Sequence, residues 1–313
     1  MKKTGIFNVV VLLLCAMIWG FAFSAQSVGA QFVGPWTFLA ARAWLGVATL
    51  IVFIGIRNLI VRYTEEGRRA GADAELEGRV SCGDRRLLII AGAVTGTFLC
   101  LASVVQQAGI AYTSVAKSSF ITAMYVVIVP ILSMLLGRKT GARIWIAVVF
   151  SVAGLYLLSL AGGFEAVNTG DLLMVGSAFL FSLQIISINR FANRLDGLML
   201  SCFEFFFEAL IASAGMLIFE KPGISTLLPA LTAILYAGIM SNGIAYTLQI
   251  IGQRDFDPTI ASLCMCMESV FGAIGGFLLL GQTLTAREIL GCALMFAAIL
   301  MAELPARRKS DEK

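Results

Sequence analysis

The chain contains no histidine in 313 residues. That absence removes His-ligated metal centres, Ser-His-Asp triads and a histidine general base. Charge is scarce as well: only 13% of residues are Asp, Glu, Lys or Arg, against 59% apolar. A soluble globular domain carries about a quarter charged residues, so this composition excludes that class. Proline is sparse at six residues. The seven cysteines give an odd number with no framework or metal-ligand spacing, and six lie inside apolar runs. They read as buried structural thiols. No Gly-x-x-x-x-Gly-Lys-Ser/Thr motif occurs, which disfavours direct ATP drive within this chain. No cofactor and no metal are expected.

What the chain does contain is long hydrophobic runs. A bilayer core of about 30 Å needs roughly 20 apolar residues per helix. Ten runs fit in order: Ile6–Ala25, Trp36–Ile56, Leu87–Gly109, Val115–Leu136, Ile144–Ala161, Leu172–Ile188, Leu198–Phe219, Leu228–Ile251, Ile260–Leu280 and Ile289–Leu304. They are too long and continuous for transmembrane β-strands. The first run passes Trp19-Gly20 without a prompt small-x-small site, so a retained helix is expected rather than a signal peptide. The expected class is an all-α membrane protein of ten transmembrane helices.

Lys and Arg concentrate in short cytoplasmic loops. With the N-terminus inside, the inner side receives Lys2, Lys3, seven arginines between 57 and 86, Arg138, Lys139, Arg143, Arg190, Arg194, Arg254 and the basic tail. The outer loops keep Lys221 and Arg287. Both termini are therefore expected in the cytoplasm of a bacterial-type inner membrane. The cytoplasmic loop 57–86 also carries six acidic residues and reads as solvated; residues 305–313 form a cytoplasmic tail.

A shift of 144 residues superimposes runs four and five on nine and ten without a gap. Ser118 meets Ser262, Leu135-Leu136-Gly137 meets Leu279-Leu280-Gly281, and Arg143 meets Arg287. Five is odd, so a second copy crosses in the opposite sense. The expectation is two inverted five-helix repeats, 8–161 and 170–304, with a shared site near the midplane.

The residues that carry a family resemblance are Trp19-Gly20, Tyr112-Thr113-Ser114, and Pro258-Thr259…Glu268 running to Leu279-Leu280-Gly281-Gln282 and Leu284-Thr285. The chain resembles the drug/metabolite transporter superfamily, and more closely an EamA-type transporter with two EamA domains. The resemblance implies ATP-independent movement of a small organic metabolite, often export of amino acids or related compounds. Two positions depart from the family pattern. Ser269 stands where proline usually follows the glutamate of helix nine, so a weaker kink is expected there; Gln282 replaces a common Glu. The alternatives are a flippase for lipid or prenyl-linked substrates and a non-transporting membrane sensor. Expected partners are a small-molecule metabolite and membrane lipid, with no nucleic acid; a homo-oligomer stays open.

Charges inside spans cost about 2.5–3.5 kcal/mol on insertion scales, which makes them functional candidates. Glu268 lies about nine residues into its helix, roughly 14 Å deep, one turn from Gly272 and hence on the close-packed side. A polar cap in packing competes with a cavity role. Glu208 lies at similar depth, with Glu204 one turn away on the same face. Repulsion and desolvation act on this pair, making both candidates for proton coupling. Arg42 matches Glu204 under a 162-residue offset, but about 12 Å of depth separates them. Arg42 can instead reach Glu208, bind a substrate carboxylate, or snorkel to the interface. Lys117, nearer a helix end, reads as snorkelling. Tyr125, Asn242, Tyr246 and Gln249, with Gln106, Gln107, Ser118 and Gln184, line a cavity or make interhelical hydrogen bonds. Gly92-x-x-x-Gly96 and Gly272-x-x-x-Gly276 read as close-packing motifs.

Overall fold

The structure is a computed structural model that describes residues 3–63, 82–112, 115–138, 140–159, 168–280 and 285–303. Among these residues the chain is helical throughout. The first repeat holds α1 (Lys3–Gly29), α2 (Pro35–Tyr63), α3 (Cys82–Ile110), α4 (Val115–Thr122), α5 (Tyr125–Leu135) and α6 (Ala142–Ser159). The second holds α7 (Thr169–Phe191), α8 (Gly197–Gly215), α9 (Ile224–Leu235), α10 (Tyr246–Gln253), α11 (Pro258–Met265), α12 (Glu268–Leu280) and α13 (Ala286–Glu303). Two π-helical stretches, Met216–Glu220 and Tyr236–Ala245, extend α8 and join α9 to α10.

These elements make ten spans among the described residues, because α4 with α5 and α11 with α12 are two broken helices. Seven runs are long and apolar enough to cross a membrane alone, and Ala142–Leu157 and Pro258–Ile274 are shorter apolar helices. The last, α13, carries Arg287, Glu288 and Glu303 at its ends and packs along α6. The all-α membrane class and the ten-span count hold.

Packing repeats with the sequence. Spans two and seven pair with each other, as do five and ten, and four and nine. The contacts of span three with six and seven recur as those of span eight with one and two. Each such contact thus has a counterpart five spans on, the relation expected of exchanged, inverted halves. Helix ends are closer together in sequence than the hydropathy suggests. Helix α2 continues to Tyr63 and α3 starts at Cys82, so the expected loop 57–86 is helical at both ends; residues 64–81 lie outside the described residues, as does the tail 305–313. Helix α7 starts on a capping box, with Asn168 accepting from the Asp171 amide and Asp171 from that of Asn168.

Small residues set the closest approaches. A Cβ on Gly96 would meet the Glu204 carbonyl oxygen at 2.4 Å, and one on Gly92 would meet the Phe203 Cβ at 2.5 Å. The expected Gly92–Gly96 contact is therefore made, between α3 and α8. On α1, a Cβ at Gly20 would stand 2.7 Å from the Glu268 oxygen and the Gly272 nitrogen of the backbone.

Candidate functional site

The break in span four falls at Ala123–Met124 and that in span nine at Cys266–Met267. Under the repeat these are equivalent positions to within one residue. Neither contains proline or glycine, so the kink expected to weaken with Ser269 is present without a proline. Tyr125 and Glu268 are the first residues after their breaks. The Tyr125 hydroxyl donates to Glu268 Oε1 at 3.2 Å in buried surroundings. Beside this pair, Ser269 Oγ donates to the Ser119 carbonyl at 3.4 Å, a second polar contact between spans four and nine.

A cavity lies beside this pair. Trp19, Phe23 and Gln26 of α1, spaced along one helix face, form one wall. Gln106, Thr122, Tyr125, Phe181, Gln184 and Ile185 line it further, with Arg42, Ser241, Tyr246, Gln249, Met265 and Glu268. Its volume is about 40 Å³, room for about three waters at roughly 10–15 Å³ each. Arg42, from the first half, and Glu268, from the second, are the charged residues of this lining. The Trp19 indole packs edge-on against Tyr246 with centroids 4.7 Å apart, and Tyr246 meets Phe205 at 5.4 Å. Among the described residues, the indole nitrogen of Trp19 and the Oε1 of Gln26 have no hydrogen-bond partner.

A second polar centre, which reaches the cavity through Arg42, lies between α2 and α8. Arg42 is 2% exposed and Glu208 is 0% exposed, with Nη2 and Oε1 3.7 Å apart. Burial excludes snorkelling for Arg42, and the contact runs to Glu208 rather than Glu204. Glu204 Oε1 instead accepts from Gln184 Nε2 at 3.0 Å. Gln184 and Gln249 form a reciprocal amide pair at 3.3 and 3.1 Å.

The structure brings Arg42, Tyr125, Tyr246, Gln249 and Glu268 to the cavity wall, and leaves Glu204, Glu208 and Asn242 outside the lining. Asn242 sits in the π-helical stretch, fully buried, against Gly46. Sequence reasoning missed Trp19, Phe23, Gln26, Thr122, Phe181, Ile185, Ser241 and Met265 as lining residues. The spacing of Trp19, Phe23 and Gln26 on a single helix face was the available signal. The Lys117 side chain lies outside the described residues.

On the face bearing the N-terminus, side chains tie down the turn between α10 and α11. Asn8 donates to the Gly252 and Arg254 carbonyls, and Asn189 to those of Gln253 and Phe256. Arg138 donates to Asn189 at 2.9 Å. On the opposite face, Glu220 accepts from the Trp36 and Thr37 amides and the Thr37 hydroxyl, at 2.6–2.9 Å. It thereby satisfies the free N–H groups that begin α2.

A paired-repeat bundle with a polar cavity between its halves is matched by a known family. The profile of the EamA-like transporter family covers residues 6–160 and again 168–304. The chain belongs to the EamA-like transporter family. Two relatives are named only as uncharacterized transporters. One, from Archaeoglobus fulgidus, is 24% identical over 294 residues, covering 94% of this chain and 84% of its own. Another, from Methanothermobacter thermautotrophicus, is 23% identical over 239 residues, covering 72% and 67%. A solved crystal structure shares the fold with a TM-score of 0.72 at 19% identity, over 96% of this chain and 98% of its own. This EamA-like protein is accordingly a multi-pass membrane transporter of the drug/metabolite superfamily.

Proposed function

We propose that this EamA-like transporter exports a small organic metabolite, an amino acid or related compound, by alternating access. The observation that carries the reading is the cavity between the halves, with a guanidinium from one and a carboxyl from the other. A guanidinium and a carboxyl lining one cavity suit a zwitterion, and Trp19, Phe23 and Tyr246 supply apolar and ring contacts for the rest of it. A cavity of this volume is small for a metabolite, which supports parting of the halves during loading. Two breaks at equivalent positions provide the joints, since half-helices can tilt without unwinding a whole span. The asymmetry of basic residues supports a cytoplasmic N-terminal face in an inner membrane; a reporter fused to the C-terminus, active only when cytoplasmic, checks it.

The decisive experiment compares metabolites inside and outside cells with and without the protein. It is followed by flux of each hit in proteoliposomes. Concentrative release of an amino acid or close relative is expected. Glu268→Gln should lower kcat/KM by about tenfold, the equivalent of about 1.4 kcal/mol of charge-assisted contact. Movement of a lipid-linked compound alone, or no flux of any hit, would overturn the reading.

A further inference from the structure

The centre between α2 and α8 has an unbalanced charge. It holds two carboxyl groups, Glu204 and Glu208, and a single guanidinium, Arg42, all at most 2% exposed. Arginine does not lose its proton in proteins, so two ionised carboxylates would leave a net negative charge in a dry interior. A group so placed neutralises rather than remaining unpaired. Among the described residues the surroundings supply no second cation: Glu208 faces Arg42 from α2, the Cys100 thiol from α3, and Tyr246 from α10, while Glu204 faces Gln184 of α7 and Tyr246.

The contacts also distinguish the two carboxyls. Glu208 stands next to the guanidinium, with Arg42 Nη2 3.7 Å from its Oε1. Glu204 accepts from the Gln184 amide on Oε1 alone, and its Oε2 is buried without a partner. A neutral carboxylic acid can make that contact through its carbonyl oxygen, and the charge count places the single proton here because Glu208 is the carboxyl beside the guanidinium. In the structure Gln249 donates to the Gln184 oxygen, while the Gln184 nitrogen donates to both Gln249 and Glu204. Both glutamines line the cavity whereas Glu204 does not. The amide pair therefore stands between the cavity and this acid.

We propose that Arg42, Glu208 and Glu204 form a proton-binding site that reaches the cavity only at Arg42, with one exchangeable proton on Glu204 and the Gln184–Gln249 pair as its gate. The ion pair of Arg42 and Glu208 is the fixed part, and Glu204 is the part that gains and loses the proton. Coupling of that proton to substrate rests on the transport reading above; the proton itself does not.

Infrared spectroscopy of the purified full chain in lipid nanodiscs tests this through the carboxylic-acid carbonyl stretch. The wild type should show such a band, shifted in D₂O, and Glu204→Gln should remove one acid equivalent of it. Glu204→Asp should restore the band, and Arg42→Gln should add one acid equivalent, since two carboxylates then lack a cation. An unchanged band in Glu204→Gln, or no gain in Arg42→Gln, would overturn the proposal; if Glu204→Gln does not fold, the Asp and Arg42 variants decide it. Flux without the Glu204 band sinks the proton site and spares the transport reading. The band without flux upholds the proton site and sinks the transport reading instead.

Discussion

Two charged centres lie within the same bundle, and they are held in opposite ways. Tyr125 and Glu268 meet where two helices are broken, joined by one hydrogen bond at 3.2 Å. Arg42 and Glu208 meet between unbroken parts of α2 and α8, whose ends are tied on both faces. Glu220 holds the start of α2 on one face; on the other, Arg57 Nη1 approaches Asp196 Oδ2 at 2.8 Å. The Trp44 indole also donates to Ser213 between the same helices, at 3.0 Å. A pair between helices that move together keeps its geometry through a transport cycle, whereas a pair at two joints does not. The difference assigns a standing electrostatic role to the Arg42–Glu208 centre and a changing one to the Tyr125–Glu268 centre.

The largest test of this contrast removes both carboxyls from the tied centre. Glu204→Gln with Glu208→Gln strands the Arg42 guanidinium in a buried site, and breaking a buried ion pair on one side costs about 3–5 kcal/mol. The double variant should lose most of its folded yield or melt far earlier by scanning fluorimetry. Either single variant should fall less, because the remaining carboxyl ionises to balance Arg42. Equal losses in single and double variants would show that charge balance does not hold this centre together.

Much of the architecture was legible because bilayer thickness imposes run lengths and basic residues mark loops. The inverted repeat followed from an odd helix count and from loop ends that match at one offset. The breaks were not legible. Ala123-Met124 and Cys266-Met267 are ordinary helix-forming residues, and the interruption comes from packing of the half-helices, which leaves no local sequence mark. The π-helical stretch that carries Ser241 and Asn242 was hidden for the same reason, although such segments recur at functional sites. The charged candidates were found because charge in a membrane is conspicuous. Their grouping into two centres was not, since an inverted partner's depth gives no rotation about the helix axis. Arg42 shows how far depth goes: it ruled out Glu204 and left Glu208, the neighbour the structure gives, beside two other readings that only the helix rotation decides.

A smaller effect is expected at the joints. Gly20 lets α1 lie against the break in span nine, and a methyl group there would meet backbone atoms at 2.7 Å. Overpacking of this kind costs about 1–3 kcal/mol. Gly20→Ala should therefore lower stability moderately while reducing flux far more, because it wedges the element that has to move. A matched substitution in the tied region, Gly46→Ala, meets the Asn242 Cβ at 2.8 Å. It should cost similar stability with less effect on flux. If the two variants lose flux in proportion to stability alone, the division into fixed and moving parts fails.

The smallest effect concerns the end tie between α2 and α8. Arg57 and Asp196 are 39% and 49% exposed, and exposed pairs contribute about 0–1 kcal/mol. Asp196 does a second thing: its Oδ1 accepts from the Met199 amide and caps α8, a role worth about 1 kcal/mol. Arg57→Ala should hence shift the melting temperature little, and the small shift it gives should vanish in high salt. Asp196→Ala should cost more and keep most of that loss in salt, while Asp196→Asn should recover the cap without the charge. A large, salt-sensitive loss in Arg57→Ala would mean that the ion pair, rather than the buried contacts between α2 and α8, holds these helices together on that face.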